Sequence, residues 1–330
     1  MVDCVDTNEA SEKTIKALGG VFEREVYEEN RQVTLHNYWI NVDESVENNQ
    51  DNYESFIYNT NEKRKEFKMN DRNELLNRFY NEACDEDTRL DAKHRQLEFL
   101  TTDRYVQKYL KPGCRILEVG AGTGRYSIYY AKQGYSVNSI EYVQHNLDVL
   151  KSKITDDMNI LAEQGDAVDL SRFEDNTFDI VLVLGPLYHL YTEDEINKCI
   201  IESRRVCKDD GIMMFAYLPN DSIMVSWALL KGHLKSGYDN KQFDENFKMI
   251  SEPSEIMRAF YIDELEEIMK LNNIQKINDI STSGVAAHFR DIVDNLTEEE
   301  FEIWKNYHFS SCERKEVQGY STHMLYIGKK

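Results

Sequence analysis

The strongest constraint on this chain is a twelve-residue stretch, ILEVGAGTGRYS, from Ile116 to Ser127. A short apolar run enters three glycines spaced two apart, and a helix-compatible sequence leaves them. Such a turn lets backbone approach a ligand closely, and open α/β sheets bind ligands beyond the carboxyl ends of their strands. The surrounding pattern has the same sense. Periodicity predicts a helix over Leu97 to Leu110, a strand over Arg115 to Val119, a helix over Tyr126 to Gln133, a strand over Ser136 to Glu141 and a helix over Asn146 to Ile154. A continuous apolar strand at Phe178 to Leu184, a helix at Glu193 to Val206 and a strand at Gly211 to Tyr217 extend this into a doubly wound, mostly parallel sheet. Beyond it the sequence predicts a helix over Ile262 to Leu271, a strand near Ile274 to Ser281, a helix opened by the capping box of Thr297 and Glu300, and a last strand at His323 to Ile327.

Gly120, Gly122 and Gly124 make GxGxG, whereas the dinucleotide fingerprint is GxGxxG, whose last glycine permits tight helix packing beneath a pyrophosphate. Arg125 stands in that last place. Taken alone, the turn also fits any α/β protein. Three further features point to a nucleotide-like cofactor. Glu141 closes the second strand, where a carboxylate can accept hydrogen bonds from both ribose hydroxyls. Gly165 and Asp166, in GDAVDL, fall where a third strand should end and could face an adenine amino group. FDIVLVLGPLYHL then carries a buried strand into a Gly-Pro loop bearing Tyr188 and His189.

At these residues the chain resembles the class I S-adenosylmethionine-dependent methyltransferases, over about Tyr80 to Lys330. The resemblance implies a Rossmann-like, seven-stranded sheet and a methyltransferase domain at 71–330, with S-adenosyl-L-methionine as cofactor and S-adenosyl-L-homocysteine as product. It also implies a cofactor cradle. Glu118, Gly120, Ala121, Gly122 and Gly124 would lie against the methionine portion, Glu141 and Tyr142 at the ribose, Asp166 and Ala167 at the adenine, and Leu184 beside them. YNEACDEDTRLDAKHRQLEFLTT, ahead of the first strand, resembles the lid helix of a bacterial subgroup, from which Tyr80 and Arg89 would come down over the cofactor's carboxylate. The rival readings are an NAD(P)-dependent oxidoreductase on the same kind of sheet and a protein that binds S-adenosylmethionine without turning it over.

A sulfonium methyl is already an activated electrophile, so transfer depends mainly on proximity and orientation. An acceptor that carries a proton also needs a base. His189 is the candidate, with Tyr188 lining the acceptor pocket; the alternatives are a ring capping loop backbone and a core tyrosine. Arg125, Tyr126 and Tyr217 are weaker pocket candidates. An insertion at about 221–255, containing WALLKGHLKSGYDNKQF, could cover a small or medium-sized acceptor, or Trp227, Leu229 and Leu230 could instead form a homodimer face. With 39 basic against 60 acidic residues the formal charge is −21, which argues against nucleic acid and anionic membranes as partners. The acidic start, the lack of a long apolar run and six scattered cysteines argue for a cytoplasmic protein with reduced thiols, and no spacing suggests a metal.

The front of the chain reads differently. Residues 1–45 predict a helix ended by Gly19 and Gly20 and then two strands joined near Glu29 and Asn30. This piece resembles the carboxyl-terminal end of a GNAT-type acetyltransferase, with Asn8 and Ser11 on the last helix and Tyr38 to Ile40 finishing the sheet. That family's pyrophosphate-binding segment would precede it, so no acetyl transfer is expected, and the piece reads as a fusion remnant or docking element. Residues 46–70 read as a linker, and Met69 stands where an independent start would be expected.

Overall fold

In the computed structural model the residues described are 2–5, 20–28, 33–40, 72–83, 86–251 and 256–330, with the backbone alone described for the first three segments and for a few residues at the ends of 72–83. The chain divides into two compact units, Met1–Asp51 and Asn52–Lys330. In the first, β2 (Gly20–Glu28) and β3 (Val33–Ile40) pair antiparallel as a hairpin, as the pattern predicted. A short strand that the sequence reading missed, β1 (Val2–Val5), adds antiparallel to β3. The helix expected between them, with Asn8 and Ser11, lies outside the described residues.

The second unit is built on a seven-stranded sheet. Its strands are β4 (Arg115–Val119), β5 (Ser136–Glu141), β6 (Ile160–Gln164), β7 (Phe178–Val183), β8 (Cys207–Tyr217), β9 (Gln275–Ser281) and β10 (Met324–Lys329). Their spatial order is β6-β5-β4-β7-β8-β10-β9. The first five run parallel, and β10 is antiparallel to both its neighbours. Helices α1 (Arg72–Arg78, continuing as a π-turn through Phe79–Ala83), α2 (Lys93–Val106), α3 (Arg125–Lys132), α4 (Gln144–Ser152), α5 (Glu193–Val206), α6 (Ile262–Leu271) and α7 (Glu298–Ser311) accompany it.

The central strands are apolar because both their faces are covered. Leu117, Val119, Val181, Val183, Met213 and Phe215 enter the core on one side with residues of α5 and α6. Ile116, Ile180, Leu182, Met214 and Leu325 face the other side with α3 and Tyr105 of α2. Strand order reverses between β4 and β7, since the chain builds outward through β5 and β6 before returning to the far side of β4. That reversal opens a crevice at the carboxyl ends of β4 and β7, the position where such sheets bind ligands.

Local chemistry sets the ends of the elements. Thr192 and Glu195 form a reciprocal capping box at the start of α5, and Thr297 and Glu300 do the same for α7. Tyr217, weighed as a pocket residue, proves to be core. It is fully buried, packs edge-on to Phe260 and donates to Asp279 Oδ2 at 2.8 Å.

Candidate active site

The glycine turn sits at the strand reversal. Gly120, Gly122 and Gly124 have φ of +75°, +54° and +88°, in the left-handed region that residues with a Cβ adopt only at a cost. Space is short as well. A Cβ on Gly120 would lie 2.7 Å from Pro186 Cδ, and one on Gly124 would lie 2.1 Å from Leu150 Cδ1. The turn is therefore wedged between the loop after β7 and helix α4, and Gly120 and Ala121 donate backbone hydrogen bonds to Ile140 O at 2.8 and 3.1 Å.

Glu141, at the end of β5, is buried, and its two carboxylate oxygens accept from Gly122 N at 2.7 Å and Val143 N at 2.8 Å. Burial pushes its pKa up to about 7 against those hydrogen bonds, and Glu86 adds repulsion. Gly165, one strand further out, donates to Glu141 O at 3.0 Å, which brings Asp166 and the buried Ala167 to the same rim. Asp166 Oδ1 accepts from Val168 N at 3.2 Å. Half-buried Tyr142 packs, as Tyr80 does, against the cluster of Leu76, Phe79 and Ile256.

Glu118 lies elsewhere. It is buried beneath the turn, where it accepts a hydrogen bond from Ser127 Oγ, which lies 2.6 Å from Ser139 Oγ. Desolvation lifts its pKa to about 8, so it is mostly a neutral acid at pH 7. Its place is a polar knot joining β4, α3 and β5.

The lid segment crosses the turn. Glu86 comes close enough that a Cβ on Gly122 would lie 3.2 Å from its Cγ. Arg89, expected over a cofactor carboxylate, instead donates Nε to Glu86 at 3.1 Å and both terminal nitrogens to Glu98, at 3.1 and 3.0 Å. Burial opposes the charge on Glu98, but Arg89 and His323 outweigh it and hold its pKa down to about 2. Lys153 ties the lid to the turn by donating to Asp87 and to Thr123 O, the latter at 2.8 Å. Arg125 donates to Asp91 at 2.9 Å, and Tyr126 is buried against Phe99.

Across the crevice, Pro186–His189 form one 3-10 turn after β7. Tyr188 donates to Leu184 O at 3.1 Å, so Leu184 serves the loop through its carbonyl. His189 Nδ1 is 2.8 Å from Ile256 O, and its Nε2 is 2.9 Å from Tyr80 Oη. The structure thus brings Tyr80, Tyr188 and His189 together at the mouth of the crevice. The insertion folds largely on itself: Trp227 packs on His233 and Phe243, while Leu229 and Leu230 are exposed. A shallow pocket of about 400 Å³ lined by Arg204, Arg205 and Lys330 is remote from this chemistry, near the start of β7. Among the described residues no group of acidic, histidine or cysteine side chains could hold a metal, and no helix is long and apolar enough to cross a membrane.

Sequence reading missed Glu86, Glu98, Tyr191 and Ile256. The spacing of Glu86 three residues before Arg89 could have suggested the first. Nothing local could have paired Ile256 with His189.

The seven-stranded, mostly parallel sheet with this glycine turn at its switch point is a doubly wound, Rossmann-like fold. Residues 117–215 match the family model described as a methyltransferase domain. The demethylmenaquinone methyltransferase of Renibacterium salmoninarum is 36% identical over 105 residues, 32% of this chain and 41% of that protein. YqeM of Bacillus subtilis, a provisionally named methyltransferase, is 27% identical over 112 residues, 34% of this chain and 45% of that protein. The chain thus spans less than half the length of these two relatives. A solved S-adenosylmethionine-dependent methyltransferase of Methanosarcina mazei is 17% identical with a TM-score of 0.46, covering 68% of this chain and 96% of that one.

Proposed function

We propose that this protein transfers a methyl group from S-adenosyl-L-methionine to a small or medium-sized acceptor. One observation carries the reading: the strand reversal gathers the glycine turn, Glu141 and Asp166 on one wall of a crevice and His189 with Tyr188 on the other. The donor set fits the cofactor. Glu86, Glu141 and Asp166 offer carboxylates close to or at the rim of the turn, suited to ribose hydroxyls, an adenine amino group, an ammonium and a sulfonium. A dinucleotide's pyrophosphate would instead place its anionic charge beside Glu86 and Glu141, which argues against the oxidoreductase reading.

When bound, the cofactor supplies an electrophilic methyl. This chain's own residues hold and orient the partners. Gly120 and Gly122 admit the ligand to the backbone, Glu141 and Asp166 orient the nucleoside, and Tyr80 with Glu86 to Arg89 of the lid exclude water. His189 receives the proton of an acceptor that carries one.

Calorimetric titration with S-adenosylmethionine, S-adenosylhomocysteine and NAD in one buffer tests this. Heat from the first two alone is expected; binding of NAD alone would overturn it.

A further inference from the structure

Ile256 has φ of +63°, a left-handed conformation that is strained for a β-branched residue, and it is fully buried. Two donors converge on its carbonyl: His189 Nδ1 at 2.8 Å and Tyr191 Oη at 2.5 Å. Ile256 shares an apolar cluster with Leu76 and Phe79 of α1 and its π-turn, against which Tyr80 also packs. A single strained residue therefore holds the imidazole and shares the cluster that seats Tyr80, the two partners of the 2.9 Å contact between Tyr80 Oη and His189 Nε2.

A carbonyl oxygen only accepts, so His189 Nδ1 must carry a hydrogen. In the neutral ring Nε2 then holds the lone pair, and Tyr80 donates to it. We propose that Tyr80 and His189 form a proton relay at the acceptor site, with Ile256 as the positioning residue that sets the imidazole's tautomer. The proposal rests on the methyl-transfer reading above and implies an acceptor whose nucleophile carries a proton, such as a phenol or an amine.

The relay balances. As the acceptor's heteroatom forms its bond to the methyl carbon, the carbon–sulfur electron pair stays on sulfur. The acceptor's proton passes to Tyr80 Oη while the tyrosine's own proton moves to His189 Nε2. Tyr80 then releases the acceptor's proton to solvent and takes its own back from His189 Nε2, so the ring returns to its neutral Nδ1–H form without turning and one proton leaves the site per methyl transferred. Tyr188, whose ring lies 4.9 Å from that of His189 at 66°, and whose carbonyl accepts from Arg258 N at 2.7 Å, holds the imidazole from the other side.

Long-range proton–nitrogen NMR on the labelled full chain reads the tautomer directly. A His189→Gln variant assigns the resonance among the eight histidines. The Nδ1–H form is expected, with the Nε2 signal moving toward that of an unbonded nitrogen in Tyr80→Phe. An Nε2–H form, or an Nε2 signal indifferent to Tyr80→Phe, would overturn the relay. Calorimetry with S-adenosylhomocysteine on the same sample separates the two readings. Binding with the wrong tautomer sinks the relay alone, and no binding sinks methyl transfer with it. Turnover of small phenols and amines should fall on the order of 10²-fold in Tyr80→Phe and in His189→Gln, with the double variant no worse than the second. Full turnover by Tyr80→Phe, or multiplying losses in the double variant, would refute a shared proton path.

Discussion

Glu118 offers a test of the site's electrostatics that needs no ligand. Its pKa rises from 4.5 to about 8, chiefly because the carboxyl is fully desolvated beneath the glycine turn, with Glu141 and Glu86 adding repulsion. The folded state then holds a proton that the unfolded chain releases, so stability is greatest below the unfolded value and falls as pH rises through 4.5 toward 8. At about 1.4 kcal/mol per pH unit, the full cost is on the order of 5 kcal/mol, with about 1 kcal/mol present at pH 5 and about 4 kcal/mol at pH 8. Glu118→Gln keeps the shape and an acceptor for Ser127 but cannot ionise. The amide's extra donor has its own cost, which does not depend on pH and cancels in a difference between two pH values. Urea unfolding of both proteins at pH 5 and pH 8 measures that difference. The variant should gain about 3 kcal/mol on the parent between the two, on that same scale. Parallel stability profiles would show that Glu118 is not held neutral and that the description of the polar knot is wrong.

Other substitutions probe the cradle and lid. Gly120→Ala must adopt a left-handed φ and press on Pro186, costing about 2 to 5 kcal/mol from strain and overpacking together, measurable by chemical denaturation. Asp166→Ala and Glu141→Ala should each weaken S-adenosylmethionine binding by about 1.5 to 3 kcal/mol in calorimetry, and Glu141→Ala should also loosen the turn, since it frees Gly122 N and Val143 N. Glu98→Leu leaves the Arg89 guanidinium without its two-pronged partner; thermal unfolding should show a loss of about 3 to 5 kcal/mol, while replacing both residues with apolar ones should restore much of it.

The second unit of the chain was legible where a residue's identity is dictated by its own backbone. β4, β5, α5 and α6 match the pattern to the residue, because an apolar run ending in the glycine turn, the Thr192–Glu195 cap of α5 and the amphipathic period of α6 carry their limits locally. Others shifted: the helix expected over Leu97 to Leu110 begins at Lys93 and ends at Val106, and β8 begins at Cys207 rather than Gly211. Side-chain partners were harder to see. Arg89 looked like a cofactor ligand on its helical stretch, yet two carboxylates already hold it. Tyr217 at a strand end looked like a pocket residue, yet β9 brings Asp279 beneath it.

By itself the sequence determined the glycine turn, since three left-handed residues in a row of five leave little else than glycine, and it determined the βαβ order that puts this turn at a strand's carboxyl end. Tertiary structure alone decided which way each acid faces. Glu118 and Glu141 lie at the carboxyl ends of consecutive strands of one sheet, but one points into a dry core and stays largely protonated while the other reaches the turn. It alone decided that Tyr80 meets His189 across 109 positions and that a strained Ile256 holds the imidazole. The physical reason is that backbone conformation is a local energy, whereas hydrogen-bond partners and desolvation depend on what the rest of the fold packs against each side chain.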